Sequence, residues 1–437
     1  MSTYLNPGKE AFEEAVNSEI FVDKTEMIQY LNSLVKTKQK YVCVSRPRRF
    51  GKTMAADMIC AYYDREAESR KLFEKRKLAG CAQVNISEKS IAWDEYLGKF
   101  DVIHLVMTRF FKKKVTVEKA LYDLQRLVIR DFKEAYPNAD YYNDEDLIQT
   151  IEDVYSKEDR QLIIVIDEWD AVFRVRQSDK DGQTEYLDFL RDLMKDNNHI
   201  ALAYLTGILP IKKYGEHSAL NMFTEYSMMA PRQLAEYTGF TEVEVRALCD
   251  DYKMQYSDIS SWYDGYVVSD SIPTDRREDY RKGNYSGHKI AIYSPLSVVE
   301  SMSTGVIKNY WNKTETYEAL AEYIRKDYGG LKDAVALLMD GGKIAIDSST
   351  YQNDMTTFNG RDDVLSLLVH LGYLGYDDET GEVCIPNKEI LDEFRTSTKS
   401  EEWMDKGNIL MVGINYERNL PNSHPEFKHH SCVIDEA

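Results

Sequence analysis

Tyr41-Val42-Cys43-Val44 runs straight into Ser45-Arg46-Pro47-Arg48-Arg49-Phe50-Gly51-Lys52-Thr53, and the reading of this stretch decides the fold. The apolar run predicts a buried strand. The glycine and lysine after it predict a tight turn into a helix, which gathers backbone N–H groups and the positive end of the helix dipole at one point. A polyphosphate fits there. Lys52 would neutralise β/γ-phosphate charge, the Thr53 hydroxyl would ligate Mg²⁺, and Gly51 lets the backbone come close. The usual form of such a loop has glycine where this chain has Arg46, so an exposed basic strand-to-helix turn is the competing reading. The expected nucleotide-binding residues are Arg46, Pro47, Arg48, Arg49, Phe50, Gly51, Lys52 and Thr53.

A second segment joins the first. Gln161-Leu162-Ile163-Ile164-Val165-Ile166-Asp167-Glu168 is a β-branched run that reads as a central parallel strand ending in two carboxylates. Such a strand is expected beside the one carrying the loop, with Asp167 near Mg²⁺ as a metal ligand and Glu168 as general base or water positioner. Asp170 is expected to cap the next helix, or to orient Glu168. Ile200-Ala201-Leu202-Ala203-Tyr204-Leu205-Thr206-Gly207 reads as another buried strand. The Thr206 hydroxyl at its end suits a sensor of the γ-phosphate or attacking water, so the expected catalytic residues are Lys52, Glu168 and Thr206. Arg48 and Arg49 either face the nucleotide or pair with acidic neighbours such as Asp170.

With Phe21-Val22-Asp23-Lys24-Thr25, Trp262-Tyr263-Asp264-Gly265-Tyr266, Tyr293-Ser294-Pro295-Leu296-Ser297-Val298 and Tyr310-Trp311, these segments resemble the prokaryotic AAA-ATPase-like family, in consistent order over residues 5 to 395. The resemblance accounts for Arg46 in place of glycine. It implies ATP with Mg²⁺ as cofactors and a C-terminal nuclease-like domain of the PD-(D/E)XK type, with a lead-in segment over residues 1 to 35 that either packs by the adenine or is an ordinary covering helix. Physics alone does not separate ATP from GTP here.

Size and charge narrow the possibilities. A chain of 437 residues, 43% hydrophobic, can bury a large core and divide into more than one domain. There is no apolar run near the ~20 residues of a membrane span and no leader pattern, so membrane contact is not expected and the cytoplasm is the default. Six cysteines without paired spacing argue against a disulfide framework or a zinc site. A net charge of −19 disfavours a broad nucleic-acid surface, leaving Lys112-Lys113-Lys114 and Arg276-Arg277 with Arg281-Lys282 as local candidates that read equally as solvated charge.

The expected fold is α/β: an AAA/ASCE-type P-loop NTPase core over 1–240, its parallel sheet between helices, then a helical lid region over 241–350 and a winged-helix-like module over 351–398. In the core, Phe100–Val106 reads as a strand, 116–136 as an amphipathic helix, and Met54, Met58, Ile59 and Tyr62 as the covering face of the helix after the loop. Thr241-Glu242-Val243-Glu244 forms a capping box, and Trp262–Tyr266 a packing turn. In the last module, Gly372-Tyr373-Leu374 and Val383-Cys384-Ile385 read as strands of a hairpin whose acidic Asp377-Asp378-Glu379 wing favours a protein contact over DNA.

Residues 399–437 read as a remnant of the nuclease-like domain without its metal site. Glu426-Phe427-Lys428 and the His424, His429, His430, Cys432 group lie in a polar loop, and nuclease activity is expected to be absent. The expected function is an Mg²⁺-dependent ATPase working as a conformational switch for an unidentified protein partner, with oligomerisation possible. The alternatives are a nucleotide-binding scaffold with negligible turnover and a DNA-associated protein derived from an ATPase–nuclease fusion.

Overall fold

The structure, a computed structural model, describes residues 3–398 apart from 87–88, 144, 158–159, 212–218, 273–276, 283–288, 312–322, 325 and 354. The expected nuclease remnant, with its His and Glu-x-Lys motifs, lies outside the described residues.

Five parallel strands form the central sheet: β1 (Tyr41–Ser45), β2 (Asp101–Val106), β3 (Leu162–Asp167), β4 (Ile200–Gly207) and β5 (Thr224–Tyr226). They lie side by side in the order β2-β3-β4-β1-β5. Alternate residues enter opposite apolar layers, which is why β1, β3 and β4 read as unbroken apolar runs rather than as alternating ones. Val42, Val44, Ile163 and Val165 join the layer containing Ala56, Ile59 and Tyr62 of helix α1 (Lys52–Tyr63). Cys43, Ile164 and Ile166 join the other, with Leu124, Val128 and Phe132 of the helix Val117–Ala135.

The strand order corrects one expectation. β3 is not beside β1; β4 lies between them, pairing Val44 with Thr206 on one side and Leu205 with Ile166 on the other. Because the three strands end in register, Ser45, Thr206 and Asp167 reach the same carboxyl edge of the sheet, and the inserted strand brings Thr206 between the loop and the acidic pair. Met54 is also misplaced by periodicity: it is 41% exposed, since it shares the exposed first turn of α1 with Thr53.

The region after residue 240 is not wholly helical. Its helices Glu242–Tyr252, Tyr256–Tyr263 and Pro295–Thr304 accompany a three-stranded antiparallel sheet of β6 (Phe240–Thr241), β7 (Tyr266–Ser269) and β8 (Lys289–Tyr293), ordered β6-β8-β7. These strands are short and half-buried, Val267 pointing outward between buried Tyr266 and Val268, so they carry little periodic signal. The capping box at Thr241 and Glu244 is present. Trp262–Tyr266 is not one turn: Trp262 and Tyr263 close a helix, and Tyr266 opens β7.

Farther on, β9 (Ile344–Ala345), β10 (Gly375–Asp377) and β11 (Glu382–Cys384) form a second small antiparallel sheet in the order β9-β11-β10, with helices Leu331–Met339, Arg361–Leu371 and Lys388–Ser397 around it. Gly372-Tyr373-Leu374 is a helix cap rather than a strand. Gly372 takes a left-handed φ of 87°, and the N–H groups of Tyr373 and Leu374 return to the Leu368 carbonyl at 2.9 and 3.3 Å. The acidic turn is spent inside the chain: Lys289 lies 3.0 Å from Asp377 and 2.9 Å from Glu379, and Ser269 Oγ donates to Asp378 at 2.7 Å. One apolar cluster runs from Ile164 and Ile166 of the central sheet through Tyr266 and Trp311 to Leu371, Tyr373 and Phe394.

Candidate functional site

The loop after β1 turns by two residues in left-handed backbone, Arg49 (φ 70°) and Gly51 (φ 82°), and Gly51 stands as the N-cap of α1 with no side-chain cap. A Cβ added to Gly51 would meet nothing within 4 Å. The first N–H groups of the helix are therefore uncapped at an open mouth, the arrangement that receives an anion. Lys52 is 7% exposed and its Nζ donates to the Arg46 and Pro47 carbonyls at 3.0 and 2.7 Å. Burial lowers its pKa to about 8, against the pull of Asp167, Asp170 and Glu168, so the ammonium is poorly solvated and primed for an anionic partner.

The Arg46 side chain is not at that mouth. Its guanidinium is buried and donates to the Ser45 carbonyl at 3.0 Å and to the Tyr226 carbonyl of edge strand β5 at 2.8 Å; burial lowers its pKa to about 10. Arg49 does not pair with Asp170 either, since its Nη1 donates to the Tyr310 carbonyl at 2.9 Å. The Phe50 ring packs edge-on against Tyr266 at 5.5 Å, and Pro47 lies under Gly372, where an added Cβ would stand 2.8 Å from the proline. Three residues of the loop thus touch the C-terminal half.

At the sheet edge the expected partners converge. Asp167, 1% exposed, accepts from Thr53 Oγ1 at 2.7 Å and from Thr206 Oγ1 at 2.5 Å, so one carboxylate joins the start of α1 to the end of β4. Glu168 follows in a left-handed conformation (φ 55°) that turns the chain out of β3, and the turn hangs from β4 by Trp169 N–H to the Thr206 carbonyl at 2.9 Å. The Glu168 carboxylate accepts from Arg174 at 2.5 Å. Burial raises its pKa, but Arg174, Lys52 and Arg48 outweigh that and the net shift is downward.

Asp170 is not the expected cap. Its side chain makes no cap bond to helix α2 (Ala171–Val175); Oδ2 accepts from the Ile208 and Leu209 N–H groups at 3.1 and 3.0 Å, fixing the exit of β4. Gly207 is required at this contact, because a Cβ there would lie 2.7 Å from the Trp169 ring and 2.9 Å from Asp170.

Sequence reasoning missed three residues around the turn from Asp167 to Asp170. Asp57 lies one helical turn after Thr53, and burial, then Asp167, raise its pKa to about 6. His104 of β2 is pushed down by burial against the pull of Asp167. Arg174 had the only legible signal, an Asp-to-Arg spacing of four residues from Asp170. Among the described residues no group of three or more His, Cys, Asp or Glu could hold a metal, and no helix is long and apolar enough to cross a membrane. The hard oxygen pair of Thr53 and Asp167 fits Mg²⁺, which takes few protein ligands and completes its shell with water and phosphate.

A parallel sheet with β4 between the loop strand and the acidic strand, a lysine-bearing loop at its carboxyl edge and helices on both faces define a P-loop α/β NTPase fold. Residues 8–215, which contain every residue of the site, match the AAA-ATPase-like family described as a predicted AAA-ATPase, in keeping with the resemblance carried by the motifs. No curated protein matches the chain. Similar solved structures include Cdc6p from Pyrobaculum aerophilum (11% identity, 89% of this chain and 97% of that one, TM-score 0.28). Two from Aeropyrum pernix are ORC2 in ADPNP–ADP complexes (12%, 90% and 99%, TM-score 0.31) and ORC1 in complex with DNA (11%, 94% and 100%, TM-score 0.28). Likenesses this distant leave the fold to be read from the strand order itself.

Proposed function

We propose that the chain binds ATP with Mg²⁺ at this edge and hydrolyses it to ADP and phosphate, using the cycle to shift its C-terminal half against the core. The observation that carries the reading is the meeting of Thr53, Asp167 and Thr206 beside the loop lysine and Glu168. Lys52 exchanges the Arg46 and Pro47 carbonyls for phosphate oxygens. Glu168 takes the proton of the attacking water as the new bond forms to the γ-phosphorus and the bond to the β–γ bridging oxygen breaks, its electron pair leaving on ADP. Thr53 and Asp167 would hold Mg²⁺, which would supply charge neutralisation at the phosphates. Thr206 orients Asp167 and reports its state. Coupling to the C-terminal half runs through Pro47, Arg49 and Phe50, which touch Gly372, Tyr310 and Tyr266.

We assign 1–240 to the core, 241–350 to a mixed lid region and 351–398 to a winged-helix-like module that docks on its own chain. The test is paired. Lys52→Ala should abolish ATP binding measured with a fluorescent analogue, and Glu168→Gln should bind ATP but release no phosphate. Unchanged affinity in Lys52→Ala would mean the nucleotide sits elsewhere. Full occupancy of the wild-type protein without phosphate release would favour a scaffold with a structural nucleotide.

A further inference from the structure

We propose that the outward face of the helix Val117–Ala135 is a docking surface for an acidic helical segment of another protein. Residues 109–133 carry eight lysines and arginines against three acidic residues, in a chain whose net charge is −19. Positive charge is thus gathered on one element of a strongly negative molecule. The amphipathic pattern that sends Leu124, Val128 and Phe132 into the core puts Tyr122, Arg126, Arg130 and Lys133 on the opposite side, on successive turns.

A solvated charge run stands out as a ridge, but these cations line a groove of about 480 Å³. Its floor is apolar: Ile129 is 3% exposed, and the Tyr122 ring beside it is 43% exposed. The Arg126 guanidinium lies 5.6 Å from that ring and makes no ion pair with any described residue. Arg130 reaches Asp131 at 3.1 Å while staying 55% exposed, and the other oxygen of that buried carboxylate accepts from Tyr4 N–H at 2.8 Å. Lys133 lies 5.8 Å from the Tyr141 ring, whose hydroxyl is tied to the Phe132 and Tyr136 carbonyls at 3.2 and 3.0 Å. The walls are fixed, and the arginines keep donors for an outside partner.

Arg126 and Arg130 stand one turn, about 6 Å, apart along the helix, with Lys133 about 10 Å beyond Arg126. A partner helix with carboxylates at i, i+4 and i+7 meets all three, the two guanidinium forks taking carboxylates in bidentate fashion. An apolar residue among them settles on Tyr122 and Ile129. Nucleic acid fits less well. Glu134 and Glu145 line the same groove and Asp123 pairs with Lys119, so a backbone with a charge at every nucleotide meets repulsion that a peptide avoids by its choice of side chain. The negative field of the whole chain also opposes a long polyanion more than a short segment with three charges.

The experiment is fluorescence anisotropy with a fluorescein-labelled, alanine-based peptide bearing glutamates at i, i+4 and i+7 and one leucine. Its glutamine counterpart and a labelled oligothymidylate serve as comparisons. The proteins are full-length wild type, Arg126→Glu, Arg126→Gln/Arg130→Gln, and Lys75→Glu as a control at an exposed lysine off this face. Wild type should bind the glutamate peptide, more weakly as salt rises. Arg126→Glu should weaken binding about tenfold or more, and Lys75→Glu less than about twofold. No binding by wild type at low salt, equal binding of the glutamate and glutamine peptides, or unchanged affinity in Arg126→Glu would overturn the proposal. Oligothymidylate binding tighter than the peptide and lost in Arg126→Glu would assign the face to nucleic acid instead. A dimer seen by mass photometry that Arg126→Glu dissolves would assign it to a second copy of the chain. If Arg126→Glu does not fold by circular dichroism, Arg126→Gln/Arg130→Gln carries the same expectation and the same refutation.

Discussion

Gly372→Ala tests whether the nucleotide loop and the C-terminal half are packed as one body. Gly372 caps the helix Arg361–Leu371 at φ 87°, and an alanine Cβ would stand 2.8 Å from Pro47 Cβ, 3.0 Å from Pro47 Cγ and 3.0 Å from the Trp311 ring. The left-handed backbone alone costs about 1–2 kcal/mol with a Cβ present. Overpacking against a buried proline and tryptophan adds about 1–3 kcal/mol. Gly305 supplies the control: it caps the helix Pro295–Thr304 at φ 66° with nothing within 4 Å of an added Cβ, so Gly305→Ala should show the backbone part alone. Urea denaturation followed by tryptophan emission should place Gly372→Ala below Gly305→Ala by about 1–3 kcal/mol. ATP affinity should fall in Gly372→Ala and stay level in Gly305→Ala, since only the first displaces Pro47. Equal destabilisation of the two variants would refute the packing of Gly372 on the loop.

Glu389 gives a pH-dependent prediction. Burial raises its pKa to about 6 despite bonds from Ser297 Oγ (2.8 Å), Tyr310 N–H (2.6 Å) and Trp311 N–H (2.9 Å). The folded state therefore holds a proton that the unfolded chain has released, and stability falls as pH rises from about 4.5 to about 6, by up to about 2 kcal/mol. Glu389→Gln should flatten that part of the stability–pH curve from urea melts, and an unaltered curve would reject the assignment. Thr206→Val keeps the shape of β4 but removes the hydroxyl that Asp167 accepts, so it should cost about 1.5–3 kcal/mol in the same melts. It should also raise the Mg²⁺ concentration needed for half-maximal turnover; an unchanged Mg²⁺ requirement would show that Thr206 does not orient Asp167.

The parts of the site that were legible in the sequence are those with a short-range cause. A lysine after glycine at a strand end, and an acidic pair closing a β-branched run, announce themselves because each residue's role depends on its immediate neighbours in the chain. What was hidden depends on distant partners. Asp170 looks like any helix cap until β4 brings the Ile208 and Leu209 N–H groups to it. Arg46 looks like a phosphate ligand until the short strand β5 presents the Tyr226 carbonyl. The order of β3 and β4 about β1 leaves no mark in a periodicity, since a strand buried on both faces has the same composition wherever it stands in the sheet. Strands β6, β7 and β8 were lost for the opposite reason, being too short and too evenly mixed to show alternation.

Arg46 works as a rivet between the floor of the nucleotide cradle and the rim of the sheet, since its main-chain carbonyl accepts from the loop lysine while its guanidinium Nη1 donates to the outermost strand. Restoring glycine at this place, as the commoner pattern has it, would empty a buried volume and leave a main-chain oxygen of that rim unanswered. The departure from the common motif is thus a structural member of the molecule, and pattern searches that insist on glycine there will pass over chains built in this way.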